Sequence, residues 1–465
     1  MNRRQFNKAG LFAGAAALLG PAACRLGIQI ADAQTMPPLP SPDDSGVDHI
    51  VAVTLENRSF DHFLGWLPNA DGKQAGLTYV DTNGMAHAAH SLSGNYTGCP
   101  GTDPDHSWTG GRIEYDSGKM DGFLLDPSND TYCIGYYSAK DIPFYAGLAL
   151  NYTTCDRYFV SILGPTFANR MFIHAAQTDR LTNSADFTTL PTIWDSLAEA
   201  GVSHAYYFSN LPYLALWGVK YLGISKTFSQ FKEDAEHGTL PAVSFLDPRY
   251  TVRDDGRGND DHPHADIREG DKFLYDVFKA VSKGPDWSST VLIVNFDEWG
   301  GFFDHVPPPR ALAANAIDPD IVDGKTLLGM RAPVVVASPW SAGDPANPKI
   351  SSLVFDHTSV LKLIEWRWGL APLTPRDASS DVNNLAYALD FTQPQTAVPL
   401  LPKPHTPLFV LPCVEDLFGG IFDPESLRPS GAPSPAARPL SSNAREAAAW
   451  SELRSIAQNN GFTVQ

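Results

Sequence analysis

The sequence has little positive charge, few cysteines and no internal apolar run long enough to span a bilayer. Its 465 residues include 34 Lys or Arg against 52 Asp or Glu, which gives a formal charge of −18. Such an acidic chain is unsuited to neutralise a phosphate backbone, so binding to nucleic acid is not expected. A membrane-spanning helix needs about 20 apolar residues, so no transmembrane segment is expected. The 43% of hydrophobic residues, with 25 Phe and 16 Tyr, are instead sufficient for a large globular core.

The signature motifs of several enzyme classes are also missing. The sequence contains no Cys-x-x-Cys pair, no His-Glu-x-x-His, no P-loop and no Rossmann glycine fingerprint. The run Gly-Val-Ser-His-Ala at 201–205 lacks the final glycine of a nucleophile elbow, which argues against a serine esterase.

The N-terminus has the features of an export signal. Arg3 and Arg4 precede an aromatic residue and a lysine, as in the twin-arginine consensus, and an apolar run follows at 9–19. The small residues at 31–33 suit a signal peptidase. We therefore expect residues 1–33 to be a twin-arginine export signal that engages the twin-arginine export machinery. The mature protein is then expected to be periplasmic or secreted.

The cysteines leave two questions open. Cys24 follows small residues and is a candidate for lipidation, although Pro21 stands where a lipoprotein site usually has an aliphatic residue. An oxidising compartment would permit two disulfides, in any of three pairings, among the four cysteines after residue 33: Cys99, Cys133, Cys155 and Cys413.

The central part of the chain, residues 34–425, has the pattern of one α/β domain. Strongly β-branched and apolar runs predict buried strands at 48–55, 202–208, 243–246, 290–296 and 333–337. Helical patterns are found between and after them, at 192–200, 273–284 and 359–368. This alternation predicts a mostly parallel central sheet with helices on both faces. Residues 426–465 are expected to form a linker rich in Pro, Ser and Ala, followed by a helix at 444–458.

Hard oxygen donors follow two of the predicted strands. Glu56 and Asn57 follow the first strand, and Asp297 and Glu298 follow the strand at 290–296. Because the carboxyl ends of parallel strands meet at one edge of a sheet, these side chains are able to converge on one cation. Carboxylate and amide oxygens favour Ca²⁺, Mg²⁺ or Mn²⁺ over zinc. Each residue taken singly is equally compatible with a helix cap or a surface salt bridge.

Thr166 follows a strand-like run at 158–163 and the dipeptide Gly164-Pro165, and it precedes a predicted helix. Free N–H groups at a helix N-terminus stabilise negative charge, which would suit a threonine alkoxide that attacks phosphorus. The alternative is that Thr166 is only the N-cap of this helix.

Several histidines stand beside acidic residues in predicted loops. His106 follows Asp105, and His262 and His264 follow Asp261. An imidazole in such a loop can donate to a phosphoryl oxygen or protonate a leaving group. His305 and His357 each follow an aspartate, and for them a structural hydrogen bond is an equal alternative.

Taken together and in order, these segments resemble the bacterial phosphoesterase family, which contains phospholipases C and secreted acid phosphatases. The resemblance covers roughly residues 48–370 and rests on Glu-Asn-Arg-Ser-Phe-Asp at 56–61, Gly-Pro-Thr at 164–166, Asp-Asp-His-Pro at 260–263, Asp-Glu-Trp-Gly-Gly at 297–301, Asp-His-Val-Pro-Pro-Pro at 304–309 and Gly-Met-Arg-Ala-Pro at 329–333. It implies an alkaline-phosphatase-like α/β fold and a covalent phosphoenzyme. Trp299 departs from the family pattern, which usually has a histidine there.

The resemblance also implies roles for individual residues. It implies four ligands of one or more divalent metal ions: Glu56, Asn57, Asp297 and Glu298. It implies three catalytic residues, which are the nucleophile Thr166 and the phosphoryl-contacting His106 and His262. Three further side chains are expected to bind substrate: Asn169, His264 and His305.

The resulting hypothesis is an exported metal-dependent phosphoesterase that hydrolyses phosphate esters or phospholipids through a phosphothreonine, in the manner of a phospholipase C. An acid phosphatase is the alternative, and a secreted binding protein without activity on the same fold is a remote one. A choline head group would call for an aromatic cage. The loops offer five aromatic candidates for it: Trp108, Tyr132, Tyr136, Tyr137 and Trp217.

Overall fold

The computed structural model describes residues 38–251, 258–407 and 442–464. The predicted export signal at 1–33, Cys24, Cys413 and the linker up to residue 441 lie outside the described residues. Residues Pro40–Gln465 belong to one compact unit. None of the helices in the described ranges is long and apolar enough to cross a membrane.

The strands form where β-branched and aromatic residues run without interruption, as the sequence predicts. In chain order they are β1 (His49–Leu55), β2 (Thr78–Val80), β3 (Ala86–Ala88), β4 (His90–Ser91), β5 (Gly135–Tyr136), β6 (Thr153–Cys155), β7 (His204–Phe208), β8 (Ser225–Thr227), β9 (Val243–Asp247), β10 (Thr290–Phe296), β11 (Arg310–Leu312), β12 (Lys325–Leu327), β13 (Val334–Ala337) and β14 (Ile350–Ser351).

The helices occupy the segments between the strands. They are α1 (Phe60–Leu64), α2 (Trp108–Tyr115), α3 (Pro143–Asn151), α4 (Thr166–Ala175), α5 (Ile193–Glu199), α6 (Phe228–His237), α7 (Ile267–Lys283), α8 (His357–Trp368), α9 (Pro375–Ala378) and α10 (Ser442–Asn459). Two predicted caps agree with the structure, since Thr192 and Asp195 form a capping box before α5 and Gly369 ends α8 in the left-handed conformation. The helix predicted at 273–284 begins earlier, at Ile267.

The central sheet has the strand order β14-β6-β13-β10-β1-β9-β7-β8. Strand β1 lies in the middle and pairs in parallel with both β10 and β9. Strand β13 is the exception, because it runs antiparallel to its neighbours β10 and β6. The sheet is therefore mostly parallel and flanked by helices, which confirms the predicted α/β class.

The predicted strand at 158–163 is wrong. Tyr158 and Phe159 form only isolated bridges, to Phe355 and Arg331 respectively. Val160 still pairs with the backbone of Gly329 and Met330, but from Ile162 onward a side chain replaces the neighbouring segment. The amide of Asn169 accepts from the N–H of Ile162 and donates to the carbonyl of Gly164. The Asn169 side chain therefore hydrogen-bonds to backbone groups that a continuing strand would have paired with its neighbour.

The cysteines in the described residues differ in state. Cys99 is disulfide-bonded, but Cys133 and Cys155 are buried free thiols. Cys155 ends the interior strand β6, whereas the thiol of Cys133 lies 3.4 Å from the carbonyl oxygen of Phe123. Burial raises the pKa of both thiols, so neither is a reactive thiolate.

The helix expected at 444–458 is present as α10, and it packs against Tyr250 and Phe167. Its apolar face is buried at Ala449, Trp450, Leu453 and Ala457. The ring of Trp450 stacks on Tyr250 with 4.2 Å between centroids. This face follows the helical period, which explains why the helix is recognisable in the sequence.

Candidate active site

The register of the sheet brings the first two acidic motifs together. Leu55 at the end of β1 pairs with Phe296 at the end of β10, so Glu56 and Asp297 leave the sheet side by side. Asn57 adopts a left-handed backbone conformation with φ of 60°, and its N–H donates to Oδ1 of Asp297 over 3.3 Å. The turn after Glu298 is equally tight, because the N–H of Gly300 donates to Oε2 of Glu298 over 2.6 Å.

Arg170 neutralises part of this acidic edge. Its guanidinium donates from Nε to Oδ2 of Asp297 over 2.9 Å, and Nη2 lies 3.2 Å from Oε1 of Glu56. A third carboxylate, that of Asp247, accepts from Nη1 over 3.0 Å. All these side chains are buried. Sequence reasoning did not assign Arg170, although it stands within the segment that follows Gly-Pro-Thr.

Four buried oxygens at this edge make no hydrogen bond: both carboxylate oxygens of Glu56, Oδ1 of Asn57 and Oε1 of Glu298. Burial raises the pKa of Glu56 well above its usual range and that of Glu298 to about 8, which indicates a shortage of positive charge. Oε1 of Glu56 is ion-paired with Arg170, but buried carboxylate and amide oxygens that make no hydrogen bond are ligands for a hard divalent cation, so the residues fit such an ion.

The predicted ligands are not gathered into one compact set. Among the described residues, the groups of three or more His, Cys, Asp or Glu ligand atoms that lie within 4.8 Å of one another are His106, His262 and Glu446, and Asp61, Asp304 and His305. Asp297 is the least available of the predicted ligands, since Oδ1 accepts from the N–H of Asn57 and of Glu298 and Oδ2 accepts from Arg170.

Thr166 is the first residue of α4, and Pro165 is the N-cap. The threonine hydroxyl does not cap the helix. It donates to Oε1 of Glu446 over 3.1 Å, and the side chain is fully buried. The N–H of the next residue, Phe167, donates to Oδ1 of Asn183 over 2.9 Å. The alternative interpretation of Thr166 as a plain N-cap is therefore not what the structure shows.

His106 and His262 face the same point as Thr166. Nε2 of His106 donates to Oε2 of Glu446 over 2.8 Å, and its Nδ1 lies 2.9 Å from the carbonyl of Pro104. Nε2 of His262 lies 3.7 Å from Oε1 of Glu446. Burial disfavours a charged imidazole, but Glu298 and Glu446 together raise the pKa of His106 well above its usual value. His106 is therefore held as a cation.

The predicted substrate-binding residues Asn169, His264 and His305 make contacts with other protein groups. All three bonds of the Asn169 amide go to the backbone of Ile162 and Gly164. Nε2 of His264 lies 2.9 Å from the carbonyl of Gly101. His305 lies between two aspartates, with Nδ1 2.6 Å from Asp61 and Nε2 3.1 Å from Asp71. These contacts hold the loops around the site in place.

His357, for which a structural bond and a catalytic role were equal alternatives, is buried behind the site. Its Nε2 lies 2.7 Å from the backbone carbonyl of Asp297. Burial lowers the pKa of His357 to about 4, so the ring is neutral.

Trp299 occupies the position at which the family pattern has a histidine. It is fully buried, and its indole N–H donates to Oε2 of Glu114 in α2 over 2.7 Å. The ring packs so closely that a Cβ atom on Gly111 would come within 2.9 Å of it. Trp299 thus fixes α2, which begins two residues after His106, against the end of β10.

A cavity of about 260 Å³ opens beside the N-terminus of α4. Its lining includes Asp105, Trp108, Asn183 and Arg445. One face of the Trp108 ring is already covered by Arg112, whose guanidinium carbon lies 3.4 Å from the ring centroid. Of the other aromatic candidates for a cage, three are buried in the core: Tyr132, Tyr137 and Trp217.

Sequence reasoning also missed Glu446, which contacts the predicted catalytic groups, and Asn183, which donates to Glu446. Glu446 is a single acidic residue on the buried face of α10, and nothing in its surroundings in the sequence marks it as part of a site. Asn183 stands in a segment without a motif. Only the docking of α10 and the loop after α4 reveals them.

The comparisons with known proteins identify the family of the chain. The model of the Phosphoesterase family matches residues 47–371. The Arabidopsis thaliana protein "Non-specific phospholipase C6" is 31% identical over 376 residues, which cover 72% of this chain and 71% of that protein. "Phospholipase C A" of Mycobacterium tuberculosis is 30% identical over 476 residues, 87% of this chain and 88% of that protein. The chain belongs to the Phosphoesterase family. It is a hydrolase that acts on ester bonds, as the sequence analysis predicted.

Solved structures with a similar fold include a protein in the alkaline phosphatase superfamily from Vibrio parahaemolyticus. It is 10% identical, with a TM-score of 0.37, and the match covers 73% of this chain and 70% of that one.

Proposed function

We propose that the chain is an exported, metal-dependent phosphoesterase of the phospholipase C type, which forms a covalent phosphothreonine at Thr166. The observation that carries the proposal is the meeting of Thr166, His106 and His262 around a single carboxylate, at 3.1, 2.8 and 3.7 Å. A hydroxyl and two imidazoles that converge on one anion are the groups that attack and stabilise a phosphoryl centre. The named phospholipases C among the relatives support a phospholipid substrate.

In the proposed reaction, Oγ1 of Thr166 passes its proton to the imidazole of His262 and forms a bond to phosphorus, while the bond from phosphorus to the leaving oxygen breaks. The leaving oxygen takes up a proton. The imidazoles of His106 and His262, which both face the Glu446 carboxylate, are the donors of this proton. Water then attacks phosphorus, the bond to Oγ1 breaks, and Thr166 recovers its hydroxyl proton. The N-terminus of α4 stabilises the developing negative charge on Oγ1.

A divalent cation, Ca²⁺, Mg²⁺ or Mn²⁺, would be held by oxygens of Glu56, Asn57 and Glu298 that make no hydrogen bond. When bound, such an ion lowers the pKa of a coordinated hydroxyl and offsets charge on the phosphoryl oxygens. Asp297 assists by orienting Asn57 and Arg170 through its two carboxylate oxygens.

The twin-arginine signal at 1–33 supports export, so a periplasmic or secreted location is part of the proposal. Hydrolysis of monoesters by an acid phosphatase remains the competing activity. The two activities are separated by measuring the purified chain on phosphatidylcholine vesicles, p-nitrophenyl phosphorylcholine and p-nitrophenyl phosphate. The proposal expects the two diesters to be cleaved faster than the monoester, and the reverse order would assign a phosphatase.

The covalent step is tested at Thr166. Thr166→Ala is expected to lower turnover by several orders of magnitude, whereas Thr166→Ser keeps part of the activity through its own hydroxyl. Thr227→Ala is a matched control, because Thr227 also stands at a helix N-terminus but caps α6 away from the site. After an acid quench, mass spectrometry should find phosphate on the peptide that contains Thr166. Near-normal turnover by a folded Thr166→Ala protein would reject the nucleophile.

A further inference from the structure

The carboxylate of Glu446 is buried at the site, and it accepts four hydrogen bonds from protein groups. Oε2 accepts from Nε2 of His106 over 2.8 Å and from Nδ2 of Asn183 over 2.9 Å. Oε1 accepts from the hydroxyl of Thr166 over 3.1 Å and from the indole of Trp450 over 3.2 Å. These donors come from three distant parts of the chain and from α10 itself. Such a convergence is typical of an anion-binding pocket and not of an isolated surface salt bridge.

The distance to Thr166 identifies what this pocket is built to hold. A nucleophile in an attacking geometry lies about 3–3.5 Å from the atom it attacks. Oε1 of Glu446 stands 3.1 Å from Oγ1 of Thr166, at the distance that an atom of the substrate must take. A carboxylate also resembles a phosphoryl group, because both carry negative charge and oxygens that accept hydrogen bonds. The phosphoryl group of the substrate and the carboxylate of Glu446 therefore compete for one position.

On the basis of the proposed function, we propose that Glu446 occupies the subsite of the substrate's phosphoryl group, that Asn183 is a further donor of this subsite, and that α10 must withdraw Glu446 before substrate binds. The C-terminal helix is then an internal inhibitor, with Glu446 as a mimic of the phosphoryl group.

The way α10 is attached supports this role. Trp450 lies one turn after Glu446, and its ring stacks on that of Tyr250. Its ring centroid lies 4.9 Å from that of Phe167, the neighbour of Thr166. Leu453 and Ala457 continue the same buried face. The packing of a single apolar face of α10 therefore holds Glu446 in the pocket. Arg445 lines the adjacent cavity, so the same helix also narrows the space next to the subsite.

Asn183 has two separable functions. Its Oδ1 accepts from the N–H of Phe167 and fixes the start of α4, whereas its Nδ2 donates to the anion. Asn183→Asp keeps an oxygen for Phe167 and removes the donor. It therefore tests the subsite without removing the support of the helix.

The direct test measures binding of inorganic phosphate to the full chain by calorimetry, together with turnover of p-nitrophenyl phosphorylcholine. Glu446→Gln removes the competing charge and Glu446→Ala vacates the position. Both variants are expected to bind phosphate at least tenfold more tightly than the wild type and to raise kcat/KM. Glu452→Gln, an exposed glutamate on the same helix, is the control and should change neither quantity. Asn183→Asp, combined with Glu446→Gln, should weaken phosphate binding at least tenfold.

The two readouts separate this inference from the proposed function. Tighter phosphate binding without turnover on any phosphate ester would support the inhibitory helix and reject the proposed activity. Unchanged phosphate affinity and lower turnover in folded Glu446 variants would overturn the inference, because Glu446 would then assist the reaction. If the Glu446 variants do not fold, Asn183→Asp decides, since unaltered phosphate inhibition of its turnover would also overturn the inference.

Discussion

Nε of Arg170 lies 2.9 Å from Oδ2 of Asp297, and both side chains are fully buried at the end of β10. The same guanidinium contacts Glu56 and Asp247, so one cation balances three carboxylates from three neighbouring strand ends. A buried ion pair contributes little net stability compared with a well-packed apolar pair, but removing one partner leaves the other charge uncompensated. Arg170 is therefore a structural requirement of the acidic edge.

Substituting Arg170 by Met is expected to destabilise the protein by about 3–5 kcal/mol, because three buried carboxylates lose their partner. Urea unfolding measures this loss. Lys220→Met serves as the control, since Lys220 pairs with Asp195 at the exposed surface and such pairs contribute about 0–1 kcal/mol. Equal losses for the two variants would contradict the assigned role of Arg170.

Gly300 is expected to be indispensable for the geometry of the site. Its φ is 66°, and a Cβ atom there would come within 2.2 Å of the carbonyl oxygen of Asn57. Gly300→Ala should therefore displace Asn57 and abolish most of the activity. Gly369 has nearly the same φ, 65°, but no atom within 4 Å of an added Cβ.

The matched variant Gly369→Ala consequently carries only the backbone strain of about 1–2 kcal/mol, with normal turnover. Assays of kcat and thermal unfolding on both variants test this difference. Activity lost equally in both would show that strain, and not the contact with Asn57, is the cause.

Chelation should inactivate the enzyme, and Ca²⁺, Mg²⁺ or Mn²⁺ should restore it. A bound ion should also stabilise the fold, by about 2.7 kcal/mol when its concentration is 100 times its dissociation constant. Elemental analysis and melting curves measure this without an activity assay. Glu56→Gln should lower the metal content. Glu365→Gln in α8 should not, because that glutamate is buried but contacts Lys362 and Asp377 instead. A metal content unchanged by chelation or by Glu56→Gln would exclude the proposed ion site.

The buried imidazole of His174 is expected to make the stability of the fold sensitive to acid. Burial among aromatic rings, including Trp194 and Tyr213, lowers its pKa to about 3, and Nδ1 makes no hydrogen bond. The pKa is lower in the folded than in the unfolded state. His174 therefore costs stability as the pH falls below about 6.5, and about 3 kcal/mol at pH 4.

The variant His174→Phe keeps a ring in this aromatic cluster but has no titrating group. Between pH 7 and pH 4 it should lose about 3 kcal/mol less stability than the wild type, measured by denaturant unfolding at each pH. Parallel stability curves for the two proteins would show that His174 is charged in the fold.

The sequence alone was sufficient for the elements that have a strong local signal. Strand β10 agrees residue by residue with the predicted 290–296, because a run of buried β-branched residues is compatible with little else. The helices α5 and α8 are bounded by caps that are written in the sequence, and α10 by its apolar period. Glu56, Asp297, Thr166 and His106 were recognisable because they stand in short motifs at element ends.

Tertiary structure decided which of these groups meet and what else joins them. Glu446 is 280 positions from Thr166, and Arg170 is 127 positions from Asp297. No local pattern encodes such pairs, since they result from the register of β1 on β10 and from the packing of Trp450 on Tyr250. Tertiary packing likewise directs Asn169 to the backbone of the loop before α4 and His305 to two aspartates. A side chain's chemistry is local to the sequence, but its hydrogen-bond partner depends on which surfaces are buried together.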